Sequence, residues 1–136
     1  MKALLLLVVG ACRGPIIDLQ AEAGPVRALA AVPVCVDVAV KAKAAGVPVR
    51  LATRLAYRES RLRRGRVSPV GARGPLQAIP RYWCPAGRLE GCDLVQAGVN
   101  ALRYYLRRER GDVQRALCAY TGRRLCDAGA VAWAVR

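Results

Sequence analysis

The chain of 136 residues has no histidine, no phenylalanine, only 9 acidic side chains and few lysines. Without histidine it cannot form a Ser-His-Asp triad, a Cys-His dyad, a histidine general base or a histidine-containing zinc site. Much of ordinary enzyme chemistry is therefore excluded, and neither a metal nor a cofactor is expected. The length suits one small domain whose core forms without a metal or a partner.

Positive charge, by contrast, is abundant: 23 basic side chains give a formal net charge of +14. Two explanations are open. Arginine and alanine excess is typical of a GC-rich genome, which makes a protein basic whatever it binds. The alternative is attraction to a polyanion, such as nucleic acid, an anionic membrane surface or the anionic polymers of a cell envelope. Net charge alone does not choose among them.

Residues 1–12 are typical of a bacterial export signal. Lys2 precedes an apolar run over 3–9, and small residues follow at a suitable cleavage point. Residues 9–12 (VGAC) are also similar to a lipoprotein processing box, in which Cys12 would be acylated. In that case Cys35 stays a buried thiol, whereas an unmodified Cys12 can pair with it. The alternative is a buried N-terminal helix or strand, since the run is too short to span a bilayer.

The other four cysteines favour export to an oxidising compartment. Cys84 and Cys92 are separated by seven residues, and so are Cys118 and Cys126. Both intervening segments contain glycine or proline, which lets the chain fold back. Two local disulfides are therefore predicted, because a four-cysteine zinc site would need closer pairs.

The middle of the chain contains two predicted helices. Residues 13–32 are rich in Ala, Gly and Pro without a sustained period, which predicts a linker, so that the folded domain covers 33–136. Apolar spacing predicts one helix over 34–45, starting at Pro33, and a second one from Pro48.

The rest of the domain is predicted as a loop followed by helices. The stretch 61–80, rich in Gly and Pro, predicts a long structured loop in which two or three short strands are possible. Asp93 and Asp112 are predicted N-caps of two further helices, and Gly122 follows the second. The predicted fold is mainly α.

One carboxylate lies on the apolar face of the helix that starts at Pro48. Glu59 continues the three- and four-residue steps of Leu55 and Leu62, and no other acidic residue occurs within 38–89. Two interpretations are open: a catalytic carboxyl group, or a helix-end salt bridge to one of the arginines on the same helix.

Five separated motifs occur in register between residues 46 and 122. In chain order they are Glu59 with Ser60 at a helix end; Ser68; the run Gly71, Ala72, Arg73, Gly74 with Gln77; Gly98; and the segment 116–120 (ALCAY), which ends at Tyr120. On these motifs the segment resembles the catalytic domain of the soluble lytic transglycosylases, relatives of goose-type lysozyme. The resemblance implies a mainly helical, α+β lysozyme-like domain.

Three departures accompany this resemblance. Residues 74–77 read GPLQ where the family usually has GLMQ, Thr121 stands where asparagine is usual, and Ala101 replaces a common tyrosine. These positions concern substrate contacts, and Glu59 and Tyr120 are intact.

The resemblance also implies a reaction and a role for each site residue. Glu59 would protonate the glycosidic oxygen between N-acetylmuramic acid and N-acetylglucosamine in peptidoglycan, and then take the proton of the muramic C6 hydroxyl to give a 1,6-anhydro product. Tyr120 would orient Glu59, while Ser68 and Gln77 would bind the sugar. The alternatives are a core aromatic for Tyr120, a turn residue for Ser68 and a backbone hydrogen bond for Gln77.

Other functions remain open. They are a hydrolytic muramidase on the same fold, a non-catalytic basic module that binds nucleic acid, and an inactive member of an envelope-spanning assembly. No reading helix and no aromatic-interleaved basic groove is evident in the sequence, and export argues against nucleic-acid binding. The resemblance implies the peptidoglycan glycan strand as the partner, in wall remodelling, an envelope-spanning machine or a phage. The expected setting is periplasmic, or membrane-anchored only through a lipid on Cys12.

Overall fold

The computed structural model describes residues 1–132, and these are mainly helical, as predicted. The helices are α1 (Lys2–Ala23), α2 (Pro25–Ala44), α3 (Val49–Ser60), α4 (Pro80–Trp83), α5 (Leu94–Arg108), α6 (Val113–Tyr120) and α7 (Ala128–Val131), with a 3₁₀ turn at Pro85–Gly87. The described residues contain no strand, and the strands considered for 61–80 are reduced to two isolated bridges that share Arg73. The last residues of the predicted domain, 133–136, lie outside the described part.

The N-terminal third corrects the predicted domain boundary. Residues 13–32, predicted as a linker, are helical except at Gly24, and Pro33 lies inside α2 instead of starting it. The reason is that alanine forms much of the buried face. Alanine is the best helix former, and its small side chain lets helices approach closely, so a search for large apolar residues misses the period. The buried alanines of α1 and α2 are Ala11, Ala28, Ala31, Ala39 and Ala42.

Covalent and polar contacts join α1 to the rest of the fold. Cys12 forms a disulfide with Cys35 of α2. The Thr53 hydroxyl of α3 donates a buried hydrogen bond to the Ala11 carbonyl oxygen at 2.9 Å. The structure therefore contains the Cys12–Cys35 pair that the sequence left open for an unmodified Cys12.

Among the described residues, α1 is the one helix long and apolar enough to cross a membrane. Its mean hydropathy over an 18-residue window is 1.6, and 28% of that window is buried. A signal sequence has the same length and composition. In this structure α1 belongs to the core, where Val8 and Leu19 are buried.

The remaining predictions of local structure are confirmed. Disulfides join Cys84 to Cys92 and Cys118 to Cys126. The Asp93 carboxylate accepts from the Gln96 amide, and the Asp112 carboxylate accepts from the Arg115 amide, each at 3.0 Å, as N-caps do. The helix predicted from Pro48 begins at Val49 and ends at Ser60.

Helix α3 lies at the centre of the core and determines where the site is. It contacts both α1 and α2, and Ala52, Leu55 and Ala56 are fully buried. The core continues into the C-terminal half through Leu76, Leu102 and Leu117. The C-terminal end of α3 therefore points towards the junction between the long loop and helices α5 and α6.

Candidate active site

Glu59 lies in the last turn of α3 and is almost completely buried. Its side chain is 4% exposed, because the amphipathic helix turns this position towards the core. A buried charge is costly unless it is paired or hydrogen-bonded. The surroundings of this carboxylate therefore determine what it can do.

Ser60 connects the end of α3 to the loop beside Glu59. Its hydroxyl donates to the Pro75 carbonyl oxygen at 2.7 Å and accepts from the Arg63 amide at 3.2 Å. The motif residue next to Glu59 thus holds the loop against the helix.

The three motif glycines permit the turns and close contacts of this region. Gly71 and Gly74 have φ of +85° and +82°, which glycine adopts without strain. A Cβ on Gly98 of α5 would lie only 2.4 Å from the Leu76 Cβ. Helix α5 can therefore pack directly on the loop, and the loop is fixed from two sides.

A groove with a volume of about 570 Å³ opens beside the Glu59 carboxylate. It brings together Glu59, Ser68, Gln77 and Tyr120, the four residues singled out in the sequence. Glu59 is the one carboxylate among its described lining residues. Aromatic side chains also line it, namely Tyr82, Trp83 and Tyr105.

The polar residues of the groove are hydrogen-bonded to the loop backbone. The Ser68 hydroxyl accepts from the Ala72 amide at 3.1 Å, and the Gln77 side-chain amide donates to the carbonyl oxygens of Arg66 and Gly74. These are the structural roles that the sequence left open as alternatives. Gln77 also has φ of +54°, a left-handed conformation that is uncommon outside glycine and recurs at functional sites.

Tyr120 lies beside Glu59 without binding it. Its hydroxyl donates to the Leu76 carbonyl oxygen at 2.5 Å, so the orienting hydrogen bond to Glu59 implied by the resemblance is absent from this structure. Burial raises the pKa of Tyr120, and the negative charge of Glu59 raises it further. Tyr120 therefore stays a neutral donor that holds the loop at the edge of the groove.

The ion-pair partner of Glu59 is Arg124, a residue that the sequence reasoning missed. One guanidinium nitrogen, Nη2, donates to both carboxylate oxygens at 3.0 and 2.9 Å. The Nε atom donates to the Thr121 carbonyl oxygen at 3.1 Å. Arg124 lies within the loop closed by the Cys118–Cys126 disulfide, and its side chain is 67% exposed.

A second cavity of about 560 Å³ lies beside the same ion pair, which lines both spaces. Arg54 of α3 and Arg61, which follows the last residue of α3, line this cavity and form ion pairs with α1, at 2.7 Å to Asp18 and 2.9 Å to Glu22. Glu59 thus forms a salt bridge at the helix end, which was one interpretation of the sequence. Its partner is not an arginine of the same helix but Arg124, 65 residues further along the chain.

No group of three or more His, Cys, Asp or Glu side chains that could hold a metal ion occurs within residues 1–132. The site thus consists of one carboxylate, the guanidinium paired with it and hydrogen-bonded loop residues around a groove. Comparison of the chain with protein-family models, curated proteins and solved structures found no match.

Proposed function

We propose that this protein is a peptidoglycan lytic transglycosylase in which Glu59 serves first as general acid and then as general base. One observation carries the proposal. The almost completely buried Glu59 is the one carboxylate among the described lining residues of a groove of about 570 Å³. The motifs around it support the same function, since Ser60, Gly74 and Gly98 fix the loop that forms the wall of the groove.

The number of carboxylates determines which chemistry is available. Most glycosidases use two, one as acid and one as nucleophile or base. With one, the nucleophile has to come from the substrate. Glu59 protonates the glycosidic oxygen as the bond to muramic C1 breaks. The resulting carboxylate removes the proton of the muramic C6 hydroxyl, whose oxygen bonds to C1. The product is a 1,6-anhydro sugar, and Glu59 is protonated again.

Arg124 has to leave Glu59 before the first step. Its Nη2 atom contacts both carboxylate oxygens, and the acid and base steps need these oxygens to contact the substrate. The guanidinium is already largely exposed, so water can hydrate it when it leaves the carboxylate. In this proposal the ion pair is the resting state, and the arriving glycan strand displaces Arg124.

The groove and the surface charge fit a glycan with acidic substituents. Tyr82, Trp83 and Tyr105 present ring faces and edges on which sugars can pack. Peptidoglycan stem peptides carry carboxylates, and the net charge of +14 attracts them.

The three disulfides indicate an oxidising, exported environment. Within that setting we propose the periplasm, on the side facing the cell wall. The Cys12–Cys35 disulfide argues against a lipid on Cys12 in this form of the chain.

Digestion of purified peptidoglycan tests the proposal. The full chain should release soluble muropeptides, and Glu59→Gln should release at least roughly 100-fold less, because it removes the acid and base while keeping the size of the side chain. Glu90→Gln, an exposed acidic residue outside the groove, serves as the control and should match the wild type. Equal release by wild type and Glu59→Gln would overturn the proposal.

A further inference from the structure

Helix α2 carries an apolar stripe that no described part of the chain covers. The stripe consists of Val26, Leu29, Val32, Val36 and Val40, which follow one another at steps of three or four residues on one side of the helix. The first two are 84% and 73% exposed, and the others between 36% and 41%. At 1.5 Å per residue the stripe is roughly 21 Å long.

Helix α1 adds exposed apolar side chains to the same helical pair. Leu5, Leu6, Val9 and Ile17 are 62%, 71%, 55% and 52% exposed. Scattered exposed apolar residues are normal, but contiguous ones mark contact surfaces. Helices α1 and α2 therefore present more apolar surface than their packing in the fold uses.

The charges on these two helices are arranged so that cations are left over. Every acidic residue of α1 and α2 forms an ion pair inside the fold: Asp18 with Arg54, Glu22 with Arg61, and Asp37 with Lys41 and Arg64. Lys2, Arg13 and Lys43 are exposed and form no ion pair with described residues. The two helices therefore combine apolar side chains with uncompensated positive charge.

We propose that α1 and α2 dock on an anionic lipid bilayer, with the α2 stripe in the headgroup region. Interfacial helices have this combination: apolar side chains enter the boundary of the acyl chains while lysine and arginine contact anionic headgroups. Charge decides between a bilayer and a second copy of the chain, because a dimer would bring two bodies of +14 together, whereas an anionic bilayer neutralises that charge. The docking would hold the proposed active site at a membrane surface, but it does not depend on glycan cleavage.

Vesicle flotation with the full chain tests this inference. Vesicles of phosphatidylcholine with phosphatidylglycerol should carry the protein upwards, and vesicles of phosphatidylcholine alone should carry much less. The double variant Val26→Gln/Leu29→Gln should lower the vesicle-bound fraction by about tenfold, since it removes the most exposed part of the stripe. Val67→Gln, an exposed apolar residue in the loop, is the matched control and should bind like the wild type.

The same experiment identifies the outcomes that would overturn the proposal. One is equal flotation of wild type and double variant. Another is no flotation at all, including the case in which light scattering shows a dimer that the double variant abolishes, because the stripe would then bind a second copy. The Glu59→Gln variant should float like the wild type, so failure of the proposed enzymatic function and failure of membrane docking are distinguishable.

Discussion

The Arg124 guanidinium donates through a single nitrogen, Nη2, to both carboxylate oxygens of Glu59, at 3.0 and 2.9 Å. The two side chains differ sharply in exposure, since the carboxylate is 4% exposed and the guanidinium 67%. The Glu59 carboxylate therefore lies inside the fold, whereas the Arg124 guanidinium is accessible to water. In the proposed mechanism, Arg124 is therefore the member of the pair that the substrate displaces.

Replacing Arg124 should raise the rate of glycan cleavage. In Arg124→Gln the guanidinium that contacts both Glu59 oxygens is gone, so the glycan strand reaches the carboxyl group without first displacing it. We expect a rate of muropeptide release at neutral pH roughly threefold to tenfold above the wild type. Arg123→Gln, at the preceding exposed position, is the control and should leave the rate unchanged. A large fall in rate for Arg124→Gln would show that Arg124 binds substrate instead.

Gly98→Ala should destabilise the fold and the groove together. The new methyl group would lie 2.4 Å from the Leu76 Cβ, and Leu76 also supplies the carbonyl oxygen that accepts from Tyr120. Overpacking of this kind costs about 1–3 kcal/mol in the free energy of unfolding, which urea denaturation measures.

Gly10→Ala is the matched control for this substitution. Gly10 lies inside α1, and its added Cβ would meet nothing closer than Arg50 at 3.7 Å. Alanine is the better helix former, so a gain of about 0.5–1 kcal/mol is expected. Equal effects of the two substitutions would contradict the close packing of α5 on the loop.

Glu22 should make stability depend on pH in the acid range. Hydrogen bonds from Tyr57 and Arg61 hold the pKa of Glu22 below its ordinary value of 4.5. Because the pKa of Glu22 is lower in the folded state, these contacts stabilise the fold above the ordinary pKa of 4.5. The stabilisation is lost as the pH falls from there through the folded-state pKa. Between about pH 5 and pH 3, the Tm of the wild type should therefore fall more steeply than that of Glu22→Gln.

Glu90→Gln is the control for the change of Tm at acid pH, since Glu90 is an exposed carboxylate far along the chain from Glu22. It should keep the slope of the wild type. The same contact has an alkaline counterpart, because burial and then the hydrogen bond to Glu22 raise the pKa of Tyr57 to about 12. That stabilisation is lost as the pH rises towards this value.

Features governed by local rules could be predicted from the sequence. The apolar face of α3 gave the burial of Glu59, because helical spacing alone determines that face. Asp93 and Asp112 were predicted as N-caps because each precedes an apolar helical period. The two local disulfides were predicted from the short separation of their cysteines. Each of these predictions needs only a few neighbouring residues.

The missed features depend on distant contacts or on small residues. Arg124 is one of many arginines, and only the path of the chain after α6 brings it back to Glu59. The acceptor of the Tyr120 hydroxyl is the Leu76 carbonyl oxygen, 44 residues away in sequence, and only the path of the loop places it there. The helical structure of residues 13–32, in α1 and the first part of α2, was missed because buried alanine carries much of its period, and alanine-rich sequence resembles a linker in composition.

The most direct test of the account is the mass of the muropeptides that the full chain releases from peptidoglycan. An intramolecular attack by the C6 hydroxyl leaves 1,6-anhydro ends, which are lighter by one water than hydrolysed ends and resist borohydride reduction. The account predicts anhydro ends from the wild type and none from Glu59→Gln. Reducible ends from the wild type would contradict it and make the protein a hydrolytic muramidase, in which water takes the place of the C6 hydroxyl.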